Sequence, residues 1–167
     1  MEISKRVLSV FLMMWFASVL ISCKKSDPVV PADLTINPFS NGGNDRNMIV
    51  VISDMHLGAD LTYAECNLNL TALEKLIIQI KVAPNVKELV IAGDLMDEWF
   101  VPATVNTFEG STQADFAHRI ATANAEVFSA LNSIIQEGKI LVTYLPGNHD
   151  LVITAADIES VLPGINQ

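Results

Sequence analysis

The chain has 167 residues, half of them hydrophobic, and a formal net charge of −9 from 10 basic and 19 acidic residues. That balance argues against a nucleic-acid surface, which needs a basic stripe to displace counterions. The mean hydropathy of +0.37 owes much to one apolar stretch near the N-terminus and does not describe a membrane domain.

In chain order, Lys5 and Arg6 come first, followed by a largely apolar, uncharged run from Val7 to Ile21 and then by Ser22 and Cys23. A basic start, a short apolar stretch and a small residue before the cut describe a secretory signal, and the stretch is short for a spanning helix. Leu20-Ile21-Ser22-Cys23 resembles the lipobox of bacterial lipoproteins. The resemblance implies removal of residues 1–22 and acylation of Cys23; the alternative is a signal anchor with an incidental cysteine. Acyl chains on Cys23 would hold the protein at a membrane surface. Lys24 stands where inner-membrane retention usually wants an aspartate, so the expected location is the cell envelope, at the outer membrane, facing the periplasm or the cell surface. Acylation consumes one of the two cysteines, which leaves Cys66 without an intrachain disulfide partner. It reads as a small, half-buried residue. Loss of Glu2, Lys5 and Arg6 with the signal leaves 8 basic against 18 acidic residues, and part of that negative charge could neutralise bound cations.

Residues 23–47 carry Pro28, Pro31, Pro38 and Asn41-Gly42-Gly43-Asn44 without a sustained apolar period, and read as a flexible tether. Extended at about 3 Å per residue, it would reach roughly 70 Å. Residues 48–167 form the expected domain. Met48–Ser53, Leu89–Ala92 and Ile140–Leu145 are short runs rich in Val and Ile that suit parallel strands buried on both faces. Between the first two, Thr71 and Glu74 suggest a capping box, Leu73, Leu76, Ile77 and Ile80 form one helical stripe, and Pro84 closes it. Phe116, Ile120, Val127, Leu131 and Ile134 or Ile135 keep helical spacing until Gly138 supplies a stop. A last short helix is expected from Thr154 to before Pro163. The order β-α-β-α-β-α predicts an α/β fold of mostly parallel β-α-β units with right-handed crossovers.

Three polar clusters stand directly after the three strands: Asp54-Met55-His56, Gly93-Asp94-Leu95-Met96-Asp97 and Gly147-Asn148-His149-Asp150. Singly, each is ordinary turn chemistry. Together they put metal-ligating groups at the C-terminal ends of three strands, where open α/β sheets hold their ligands. Mixed imidazole and carboxylate donors fit Mn, Fe or Zn better than Mg, which prefers all-oxygen shells. Two cations about 3.5–4 Å apart lower the pKa of a shared water and clamp an in-line displacement at phosphorus.

Asp-x-His, Gly-Asp-x-x-Asp and Gly-Asn-His-Asp resemble the first three blocks of the calcineurin-like metallophosphoesterases over roughly Met48 to Leu162. The resemblance implies a two-metal hydrolase of phosphomonoesters, phosphodiesters or pyrophosphates, built as the N-terminal half of an α/β/β/α sandwich. It implies that Asp54 and His56 bind the first metal, that Asp94 bridges both, and that Asn148 gives its amide oxygen to the second. His149 would protonate the leaving group, with Asp97 holding its other ring nitrogen. Asp150 and Trp99 are expected behind the ligands or along the substrate pocket, and His118 as a helix-face residue. Gly-Asp-Leu-Met-Asp-Glu-Trp-Phe is similar to the block of UDP-diacylglucosamine hydrolases, which points to an envelope or lipid-linked substrate, although those enzymes are cytoplasmic. The family completes its site with further histidines, usually one alone and then a Gly-His-x-His pair, whereas this sequence holds only His56, His118 and His149. Three functions are therefore expected to compete: a phosphoester hydrolase whose chain is incomplete as given, a membrane-tethered binding module without turnover, and a non-functional relic.

Overall fold

The apolar, β-branched runs become three parallel strands, β1 (Met48–Ile52), β2 (Val86–Ala92) and β3 (Leu141–Leu145), in the spatial order β1-β2-β3. In this computed structural model residues 37–97, 102, 104–106, 108–109 and 112–167 are described. Helix α1 (Leu70–Val82) connects β1 to β2, α2 (Gln113–Ala123) and α3 (Ala125–Glu137) lie between β2 and β3, and α4 (Ala155–Val161) follows β3. The signal segment, Cys23 and the first part of the expected tether lie outside the described residues. Among the described residues no helix is long and apolar enough to cross a membrane.

Register decides which strand residues meet the helices. Val50, Leu89 and Val142 align across the sheet, as do Ile52, Ile91 and Tyr144. These rows join Ile77, Ile80, Ile120, Leu131, Ile134 and Ile158 in one core. The opposite rows carry Ile49, Val51, Leu141 and Leu145, which remain 49–61% exposed. The expectation of strands buried on both faces is thus corrected. One face is packed under helices, and the other is apolar and open. On that open face the Thr143 hydroxyl donates to the Glu88 carboxylate at 2.6 Å and accepts from the Asn166 amide at 3.1 Å.

The helix limits follow local chemistry, with two corrections. Helix α1 starts after Asn69, so Thr71 lies inside its first turn and the expected Thr71–Glu74 capping box does not form. Its end is as expected: Ala83 is extended, as the residue before Pro84 must be. The second helical stretch is two helices, because Asn124 leaves helical geometry at φ −117°, ψ 41°. Its buried amide nitrogen donates to the carbonyls of Gly58 at 2.9 Å and Ile120 at 2.8 Å. Gly138 ends α3 in the left-handed region at φ 67°, and Thr154 with Asp157 forms a reciprocal capping box at the start of α4.

Residues 37–47 lie against the domain. Asn85, fully buried, accepts from Asn41 N and donates to the carbonyls of Gly43 and Asp45. Arg46 donates to the Val86 carbonyl at 2.6 Å, and the Asn37 amide donates to the Gln79 carbonyl at 2.8 Å. At the other end of the sequence, Asn166 pairs with the outer edge of β3: its N–H donates to Val142 at 2.9 Å and its carbonyl accepts from Tyr144 at 2.8 Å.

Candidate metal centre

Parallel strands bring their C-terminal ends to one side, and all three polar clusters lie there: Asp54 and His56 after β1, Asp94 and Asp97 after β2, and Asn148, His149 and Asp150 after β3. Pairing continues past the strands. Asp54 N donates to Gly93 O at 3.2 Å, His56 N to Asp94 O at 2.9 Å, Leu57 N to Leu95 O at 2.9 Å and Asp97 N to Leu57 O at 3.1 Å. The first two loops are therefore laced together residue by residue.

Three of these residues hold left-handed backbone: φ is 55° at Asp54, 46° at His56 and 53° at Asp94. Such conformations cost on the order of 1–3 kcal/mol each and persist where the surroundings over-determine them. Here the strain falls on the three residues that converge. Ligand atoms of Asp54, His56 and Asp94 lie within 4.8 Å of one another. Two carboxylates and an imidazole at that spacing suit a divalent cation in donor chemistry and in charge.

The two motif glycines explain how the loops come so close. A Cβ on Gly93, whose φ is 91°, would stand 3.0 Å from the Gly147 Cα; a Cβ on Gly147 would stand 2.1 Å from Asp94 Oδ1. Only bare backbone fits at either position. Asp94 Oδ1 instead accepts the His149 N–H at 2.9 Å. Asp150 completes the joint. Fully buried, it accepts from Gly147 N at 2.6 Å through one oxygen and from Leu95 N at 2.9 Å through the other. Asp150 is therefore placed as the clamp between the second and third loops. Asn148 sits exposed in the same turn.

Asp97 Oδ2 lies 3.0 Å from Nδ1 of His56 and 2.9 Å from Nδ1 of His149. The two rings meet edge to face at 88°, with centroids 4.6 Å apart. Of the two approaches to Asp97, that of His56 is a hydrogen bond; it had no sequence signal, since spacing does not report which side chains meet. These three residues are a second group within metal-holding distance. Beneath them Tyr144 is buried, and burial first, then the neighbouring Asp150 and Asp94 carboxylates, pushes its phenol well above the ordinary range.

Elsewhere, His118 is exposed on α2, the helix-face position expected of it. Cys66 is half-buried and burial raises its thiol pKa, in keeping with a packing role. Trp99 lies outside the described residues. Asn124 is a support that sequence reading missed: through the Gly58 carbonyl it ties the loop carrying His56 to the α2–α3 junction. A polar residue interrupting an apolar helical stripe was its only trace in the sequence.

A parallel α/β sheet with carboxylate and imidazole side chains gathered at its C-terminal edge is an arrangement that could hold a divalent metal ion. The chain belongs to the calcineurin-like phosphoesterases, whose family model matches residues 48–165. No curated protein is significantly similar to the chain.

Proposed function

We propose that this chain is a metal-dependent phosphoester hydrolase in which Asp54, His56 and Asp94 hold the first ion and Asp94 and Asn148 contribute to a second. The observation that carries the reading is the convergence of Asp54, His56 and Asp94 on strained backbone at one end of a parallel sheet. Bound divalent ions, with Mn, Fe or Zn the best matches to this donor set, supply Lewis-acid stabilisation of a phosphoryl oxygen and a more acidic water. The chain's own residues do the rest. Asp94 keeps its carboxylate aimed by accepting the His149 N–H. His149, seated against Asp97, offers a proton to the leaving oxygen.

A second reading, a divalent-ion binding module without turnover, rests on the same close approach of Asp54, His56 and Asp94 ligand atoms, which by itself accounts for ion binding alone. Hydrolysis of p-nitrophenyl phosphate and bis-p-nitrophenyl phosphate with added Mn²⁺ separates the two. Turnover that is abolished by chelation and by Asp94→Asn supports the hydrolase. Saturable Mn²⁺ binding without turnover supports the module, and turnover indifferent to chelation overturns both.

The envelope setting is part of the same proposal. Leu20-Ile21-Ser22-Cys23 supports acylation at Cys23, which would place the site within reach of phosphoesters at a membrane surface, lipid-linked ones included. Cys23→Ser is expected to abolish acyl labelling and leave an uncleaved precursor. Unchanged labelling would remove the lipid anchor from the proposal.

A further inference from the structure

We infer that the outward face of α1 is a docking surface for an anionic phospholipid bilayer, seated on Ile78, Val82, Lys75 and Lys81. This rests on the envelope reading above, and it adds which side of the domain meets the lipid. Helix α1 is apolar on two sides. Ile77 and Ile80 are buried in the core, and Leu73 and Leu76 pack against it. On the other side Thr71, Lys75, Ile78 and Val82 follow one another at helical spacing and are all exposed, Ile78 at 43% and Val82 at 67%. A helix whose outer face met only water would carry polar residues at these last two positions. Aliphatic side chains flanked by lysines are the composition of a helix that lies in a membrane interface.

The chain that leads to Cys23 enters the domain on this helix, where the Asn37 amide donates to the Gln79 carbonyl at 2.8 Å. Residues 24–36 separate that point from the acylation position, a span of roughly 40 Å at full extension. Positive charge gathers at the C-terminal end of the same helix. Lys139, hydrogen-bonded to Glu137, holds that carboxyl below its usual range together with the charges of Lys81 and Arg46. Among the described residues no ion pair occupies Lys75 or Lys81, and each lysine close to an anionic lipid surface favours attachment. A groove of about 640 Å³ between α1 and α3 continues the apolar surface from Ile78 and Val82 onto Ala125 and Ala130. Glu74 and Glu126 line it near the starts of the two helices, which centres the contact on the C-terminal half of α1. The open sheet face carries the Glu88 carboxylate instead. Helix α1 runs back from the metal-bearing loops to the start of β2. Docking along it lays the sheet beside the membrane and leaves the end holding Asp54, His56 and Asp94 open next to the lipid surface.

Lipid contact can be read with a nitrobenzoxadiazole label on Val82→Cys or on Val51→Cys, each in the full chain carrying Cys66→Ser. The labelled chain is reconstituted with vesicles of phosphatidylcholine alone or of equal parts phosphatidylcholine and phosphatidylglycerol, with and without nitroxide-labelled lipid. On the anionic vesicles the label at position 82 is expected to be quenched by the nitroxide lipid, and the label at position 51, on the open sheet face, to stay unquenched. Lys75→Gln with Lys81→Gln should lower the docked-to-free ratio roughly fivefold for each lysine removed, and added salt should act in the same direction. Quenching at 51 in place of 82 overturns the inference. So does a label at 82 that no lipid quenches, whether it stays in water or is covered by a second copy or a protein, and so does equal quenching on neutral vesicles. Acyl labelling of the same material scores the anchor separately. Quenching at 82 without acylation sustains the docking surface and removes the lipid anchor, and acylation without quenching does the reverse.

Discussion

The Asp150 carboxylate is fully buried and takes two backbone N–H groups from two different loops. Both of its oxygens are committed, so the near-isosteric Asp150→Asn must turn an NH₂ group toward either Gly147 N or Leu95 N. A buried donor facing a donor costs about 1–3 kcal/mol, more where a charge had been accepting. We expect Asp150→Asn to lower stability by about 2–3 kcal/mol in urea unfolding and to weaken Mn²⁺ binding, because the joint it clamps also aims Asp94. A loss under roughly 0.5 kcal/mol, the usual range of neutral surface changes, would show that the clamp is dispensable. The candidate ligands were legible in the sequence as residue types standing after strands, and the structure brings Asp54, His56 and Asp94 together. The clamp was not, because an aspartate reads alike whether it faces a cation or two amides.

Elements show the same division. Gly138 and the Thr154–Asp157 pair are local signals, and they end one helix and begin another where expected. The break at Asn124 is not local. Its amide bonds to Gly58, 66 positions away in sequence, and a helical stripe carries no mark of such a partner. Asn124→Ala should leave the buried Gly58 carbonyl without its donor and cost about 1–3 kcal/mol. The alanine also has higher helix propensity, so the variant is expected to gain far-UV helical signal while losing thermal stability. A gain in both would mean that the Gly58 bond contributes little and that the interruption is only a poor helical residue. Asn85 plays the corresponding role for residues 37–47, whose Asn and Gly content resembles a tether until the side-chain partners are known.

Across the whole molecule, the open sheet face is the dominant feature. Ile49, Val51, Leu141 and Leu145 point away from the helices, and contiguous exposed apolar surface of this kind promotes association. The chain is expected to bind 1-anilinonaphthalene-8-sulfonate and to self-associate at micromolar concentration. Val51→Thr with Leu145→Thr, which preserves strand-compatible shape at both positions, should reduce both effects without lowering the melting temperature by more than a few degrees. Dye binding unchanged by the pair of substitutions would place the apolar site elsewhere. Alternation along the strands could not reveal this face, because the sequence is apolar on both sides of each strand, and burial on two faces is the ordinary meaning of such a run.

The sequence alone determined the α/β class, the parallel order of strands and helices, and which polar side chains stand after the strands, because strand runs, helix stops and residue types are local properties of the chain. Only the tertiary structure decided which side chains meet, that Asp97 bonds His56 across two loops, that Asp150 faces amides, and that one face of the sheet is exposed. Those outcomes depend on register and on contacts between residues far apart in the chain, which no short stretch of sequence encodes.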